Sequence, residues 1–113
     1  MSFTAVLGSA NATGRQVLIA ATATPGTLLH TTHATAIDEV TVELTNNHTA
    51  SVVATVEIGG VTSPNDLVAV TVPSKSGVLV AVNRRRLTGA LDVRVFAATT
   101  NVISAVATVD RIT

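Results

Sequence analysis

Cysteine is absent from this 113-residue chain. A disulfide framework and thiolate chemistry are therefore closed to it, and a small secreted domain stapled by disulfides is excluded. Tryptophan and tyrosine are absent too, which leaves Phe3 and Phe96 as the only aromatics. Sugar sites and single-strand nucleic-acid sites stack their ligands on aromatic faces, so this scarcity argues against a lectin or a single-strand binder. Charge is also scarce: 12% of residues are charged and they sum to zero, where a soluble domain carries about 25%. Such neutrality speaks against a nucleic-acid or anionic-membrane partner, which would favour a basic balance. Long apolar runs are missing as well. The longest, such as residues 17–21 and 78–82, have strand length, far below the ~18 residues of a membrane-crossing helix. The opening residues, Met1 to Leu7, show neither a basic stretch nor a long apolar run, so they do not read as a secretion signal.

What the chain does contain is valine, alanine and threonine. Apolar residues make up 47% of it. A surface so poor in charge protects a lone monomer badly from association, so part of it is expected to lie under other subunits. The length suits one domain with a core of its own.

Residues 37–60 organise the rest. Val40, Val42 and Leu44 alternate with Thr41, Glu43 and Thr45, and Val52, Ala54, Val56 and Ile58 alternate with Val53, Thr55 and Glu57. Period-2 alternation separates a buried from an exposed face. The Asn46-Asn47-His48-Thr49-Ala50 segment between them reads as a hairpin loop, because Asn tolerates turn backbone. Further strands are expected at residues 15–22, 27–32, 67–72, 78–82, 91–97 and 102–112, with turns at Thr24-Pro25-Gly26, at 61–65, at 73–77, at 83–89 and at Thr99-Thr100-Asn101. Strands at this spacing, rich in β-branched residues and without helical periodicity, predict an all-β fold: an antiparallel β-sandwich, jelly-roll-like, of about eight strands with almost no helix. Val42, Leu44, Val56, Ile58, Val70, Val80, Val93, Val95 and Val106 are the expected core. Residues 1–14 are small and polar and read as an N-terminal arm, with 15–113 as the single sandwich domain.

The candidate sites each have a plain structural reading beside the functional one. His30 and His33, near Asp38 and Glu39, have metal-ligating chemistry. Residues three apart on a strand face opposite ways, however, so both read as ordinary loop-edge histidines. Arg84, Arg85 and Arg86 form the one charge cluster; without aromatic interleaving they read as subunit contacts or a solvated loop rather than a nucleic-acid grip. Glu43 and Glu57 read as solubilising residues on exposed faces. Asn11-Ala12-Thr13 and Asn47-His48-Thr49 fit a glycosylation pattern by chance. No nucleophile elbow, phosphate loop or catalytic constellation is present, so no catalytic, metal or cofactor site is expected and the chain reads as a non-enzyme.

The succession Thr27-Leu28-Leu29-His30-Thr31, a strand ending in Asn46, a Val-rich strand ending in Gly59-Gly60, Val72-Pro73 with Gly77, and Leu87-Thr88-Gly89-Ala90-Leu91-Asp92-Val93 resembles the small β-sandwich virion proteins of tailed bacteriophages and gene-transfer particles. The likeness runs over residues 27–112. It departs at His33-Ala34-Thr35-Ala36, where a Pro-Gly-type turn is more usual. The resemblance implies a structural particle component: a capsid decoration (cement) protein or, alternatively, a tail or neck accessory or adhesin-like receptor-binding module. It implies localisation in the virion, assembled in the host cytoplasm. The implied partners are copies of itself, with a trimer favoured, and the major capsid protein or other virion proteins. It carries over no functional residue.

The interface residues expected from the sequence itself are Phe3, Val6, Leu7, Arg84, Arg85 and Arg86. Ordering backbone costs roughly 1–2 kcal/mol per residue, and burying Phe3 and Leu7 returns only roughly 1.5–3 kcal/mol each. Strand addition to a sheet edge would supply the rest. The arm is therefore expected to leave its own sandwich and lie against a neighbouring subunit or the particle shell.

Overall fold

The computed structural model describes residues 2–10 and 13–113; the Asn11-Ala12-Thr13 pattern falls partly outside them. Nine strands and no helix are found among the described residues: β1 (Phe3–Leu7), β2 (Val17–Leu18), β3 (Thr27–Thr31), β4 (Ile37–Asn46), β5 (Val52–Ile58), β6 (Leu67–Val72), β7 (Val78–Leu87), β8 (Asp92–Ala97) and β9 (Ile103–Ile112). All strand pairs are antiparallel. The pairs nest about one hairpin. β5 pairs with β6, β4 with β7, β3 with β8, and both β1 and β2 with β9. Two further pairings, β4 with β9 and β5 with β8, gather the strands into two sheets. Sheet A runs β1-β9-β4-β7, with β2 also paired to β9, and sheet B runs β3-β8-β5-β6. A long antiparallel ribbon rolled in this way is a jelly roll, the expected fold.

The topology corrects the reading of residues 37–60 as a hairpin. β4 lies in sheet A and β5 in sheet B, so residues 47–51 form a corner between sheets. Asn46, wholly buried, shapes that corner. Its Nδ2 donates to the Ala50 and Val72 carbonyls at 3.0 and 2.9 Å, and its Oδ1 accepts the His48 N–H at 2.9 Å. Alternation is the same whether two strands lie side by side or face each other across a core, so the pattern alone did not separate the cases. The 73–77 turn is likewise a corner, between β6 and β7.

The core lies between the sheets. Val42, Leu44, Val56, Ile58, Val93 and Val95 are buried as expected, together with Ile19, Leu29, Val40, Val72 and Ile103. Val70 is half-buried, and two expected core residues lie outside. On β9, Ala105 and Ala107 pair with Leu44 and Val42 and face inward, which turns Val106 to the outer face beside Glu43. On β7, Val82 pairs with Val42 while Val80 pairs with Glu43. One extra residue, Ala81, intervenes, and this β-bulge puts Val80 outside.

Other boundaries also move. Within the expected 15–22 strand only Val17 and Leu18 are strand. The 83–89 loop is mostly strand, because β7 continues to Leu87. Phe3–Leu7, expected to leave the sandwich, pairs with β9 of its own chain. From there the chain crosses to sheet B, where the Ala10 N–H donates to the Leu29 carbonyl at 3.0 Å and Ser9 Oγ accepts the Thr31 N–H at 2.8 Å. Residues 9 and 10 thereby cover the free edge of β3.

Candidate interaction face and its two carboxylate clasps

Neighbouring residues on β4 point to opposite sides of sheet A, and at Asp38 and Glu39 both sides carry a carboxylate. Asp38 faces the core and is fully buried. Arg111 of β9 grips it at both oxygens, Nε to Oδ1 at 2.8 Å and Nη2 to Oδ2 at 3.0 Å. The His33 N–H adds a third donor at 3.1 Å. From sheet B, the buried His30 places Nε2 2.9 Å from Asp38 Oδ2, while its Nδ1 accepts the Ser9 N–H at 3.1 Å. That second bond assigns the tautomer: Nε2 carries the proton and donates to Asp38. A single chain of bonds thus links β9, β4, β3 and the crossing at Ser9. Burial on its own would raise the Asp38 carboxyl. The Arg111, His30 and His33 hydrogen bonds and the Arg111 charge outweigh it and hold the group down at about 2. The same pairing raises Arg111, its hydrogen bond to Asp38 outweighing the cost of desolvation.

His30 is therefore a core residue, not the loop-edge histidine expected, while His33 is exposed and uses Nδ1 to accept the Thr35 and Ala36 N–H groups. The buried His30–Asp38 pair ties sheet B to sheet A. Among the described residues no group of three or more His, Cys, Asp or Glu could hold a metal ion. Glu57, expected on an exposed face, is also fully buried. The Thr24 hydroxyl donates to its Oε2, and the Gly26 N–H donates to its Oε1 at 2.5 Å. Gly26 presses so close that an added Cβ would lie 2.6 Å from the Val95 backbone, which leaves room there for glycine alone.

Glu39 lies on the outer side. Arg84 donates to Oε1 from Nε at 3.3 Å and Nη2 at 3.1 Å, and Arg86 Nε donates to Oε2 at 2.8 Å. Both arginine side chains are 64% exposed and form a lid over the carboxylate. Arg86 pairs directly with Glu39 across the strands. A second bulge, with Arg84 at φ 51° and its N–H on Thr41 Oγ1 at 3.1 Å, brings Arg84 onto the same side. The Arg86 hydrogen bond, helped by Arg84 and opposed by desolvation, lowers the Glu39 carboxyl. Arg85 pairs with Val40 and so belongs to the other side of the sheet.

The outer face of sheet A thus collects most of the residues expected at an interface. Register places Phe3, Ile112 and Ile37 in one apolar row at its end. Leu7, Thr108 and Thr41 form a parallel row, with Ala5, Asp110 and Glu39 between the two. Beyond lie Val106, Val80, Val78 and Leu18. Phe3, Leu7, Leu18, Val78 and Val80 are each at least half exposed. A depression of about 260 Å³ crosses this face, with Leu7 on one side, Arg84 on the other and Ala5, Thr41, Thr108 and Asp110 among its lining. Val6 points toward the core side, opposite Val109, and does not join the outer rows. Sequence reasoning singled out Phe3, Leu7, Arg84 and Arg86 but missed Ile37, Val80 and Ile112, whose exposure depends on register. No family model, no curated protein and no solved structure matches the chain.

Proposed function

We propose that this chain is a non-enzymatic structural component of a phage-like virion, a capsid decoration protein that works by covering its neighbours and being covered by them. The observation that carries this reading is the outer face of sheet A. An antiparallel sheet that faces water alternates apolar-in with polar-out. Here the outward positions hold Phe3, Leu7, Leu18, Ile37, Val78 and Val80, each at least 40% exposed. Exposed apolar residues gathered on one face support a protein–protein surface. Zero net charge and low charge density support the same reading, since they suit a subunit that spends its life packed against others. Glu39 already engages Arg84 and Arg86, which favours a protein rather than a nucleic-acid partner. Jelly rolls are widely used in shells, though also in lectins and cupins; the scarcity of aromatics favours the first. The preference for a trimer rests on the resemblance to phage virion proteins.

The test is to purify particles by density gradient from cells that make this chain and to quantify their proteins by mass spectrometry. The chain is expected at a fixed ratio to a shell protein, and on the shell surface by immunogold labelling. Its absence from particles, or catalytic turnover by the purified chain, overturns the proposal. Labelling confined to the tail, or specific binding on a glycan array, moves the assignment to a tail accessory or receptor-binding module.

A further inference from the structure

We propose that two copies of this chain join edge to edge through β1, each adding a strand to the other's sheet A, about a two-fold axis at Ala5. The argument rests on hydrogen-bond parity and is independent of the virion reading. Ser2 and Thr113 exchange both backbone bonds, at 2.8 and 2.9 Å. In an antiparallel ladder bonded pairs alternate with non-bonded ones. With Phe3 opposite Ile112 and Leu7 opposite Thr108, Thr4 and Val6 therefore bond to β9, while Phe3, Ala5 and Leu7 turn their N–H and C=O groups away from it. Among the described residues no strand or loop takes those groups up. The outward set is symmetric about Ala5. A second β1 laid antiparallel brings Phe3 opposite Leu7 of the partner subunit and Ala5 opposite Ala5 of the partner subunit, so every outward group meets an outward group. The strand Phe-Thr-Ala-Val-Leu carries no charge to repel its copy. Phe3 and Leu7, 55% and 50% exposed, would cover one another and continue the apolar row across both subunits.

The other edges suit a second copy less well. β3 is covered by Ser9 and Ala10. β7 is twice bulged and carries three arginines, devices that keep strands from pairing. β6 is open, but its apolar side chains Leu67, Val68 and Val70 are already half-buried and Val72 is fully so, which leaves little apolar surface for a partner to cover. A five-residue edge makes a small interface, so the pair is expected to be weak and concentration-dependent.

Because the chain has no cysteine, single cysteines report the register. Partners in a bonded antiparallel pair lie about 5.5 Å apart at Cα, within disulfide reach. Ala5→Cys is expected to form a covalent dimer under mild oxidation, and Ala69→Cys on β6 is expected to stay monomeric. Sedimentation velocity should show the wild-type chain shifting from monomer to dimer as concentration rises. Ala5→Pro deletes an outward N–H and no bond to β9, and should weaken the dimer about tenfold or more. Leu7→Lys, which leaves the backbone intact, should act in the same direction, with circular dichroism unchanged in both. A monomer at every concentration overturns the proposal, as does crosslinking of Ala69→Cys in place of Ala5→Cys, or an undiminished dimer in the folded Leu7→Lys variant.

Discussion

Asp38 and Glu39 are consecutive, both are carboxylates and both are held by arginine, yet one is sealed in the core and the other lies under a lid of two exposed side chains. The difference shows how little the chemistry of a pair says about its worth until its surroundings are known. Inside, neither water nor salt replaces a lost partner, so the fold depends on every donor being present. Outside, water competes for each bond and the arginines lose conformational freedom in making them. Their effect is on shape: with Arg84 and Arg86 drawn over Glu39, that carboxylate is closed off between the apolar residues of the outer face.

The inner clasp should give the largest effect. Arg111→Met leaves Asp38 buried with neutral donors only, and should cost about 3–5 kcal/mol in urea unfolding; a loss comparable to that of a surface variant would erase the contrast. Next in size is the response to acid. The Asp38 carboxyl titrates near 2 in the fold against 3.8 in its absence, so the native state binds fewer protons there than the unfolded chain. The stabilisation is therefore complete above about pH 4 and is lost as pH falls through about 2, amounting to about 2 kcal/mol. The gap in unfolding free energy between the wild type and Asp38→Asn should accordingly narrow as pH falls from 4 to 2. On the outer side, Arg86→Met should lower Tm by no more than about 2 °C, an effect removed by molar salt. Val80→Thr should change stability by less than about 0.5 kcal/mol, while Val80→Lys, placed on the exposed face, should reduce any assembly that uses it, read by light scattering.

Strand identity was legible wherever alternation was strict, as on β4, β5 and β8, because period 2 follows directly from the pleat. Which face of a strand is the inner one was harder to read. On β9 the bulkier Val106 is outside and the smaller Ala105 and Ala107 are inside, since register against β4 decides the matter and bulk does not. The bulges of β7 erase alternation locally, and a left-handed Arg84 leaves no mark in composition. The interior charges were hidden for a further reason: Asp38 meets Arg111 across 73 positions of chain, a separation that no local pattern spans. For the outer face, the residue types were readable at Phe3, Leu7, Arg84 and Arg86, but their grouping was not, because it requires the order in which strands stand side by side.

The nesting of strands about the β5–β6 hairpin also sets a timetable. Each successive pair encloses a longer loop than the one before, from β5 with β6 out to β1 with β9. Chain entropy must be surrendered before those distant pairings give anything back, so refolding should be slow for a chain of this size, in milliseconds to seconds. During synthesis the wait is longer still. β1, β2 and β4 all take β9 as a neighbour, so until β9 emerges three strands lack that partner. The interval in which this chain is most exposed to wrong company therefore falls before the ten-residue β9 has docked.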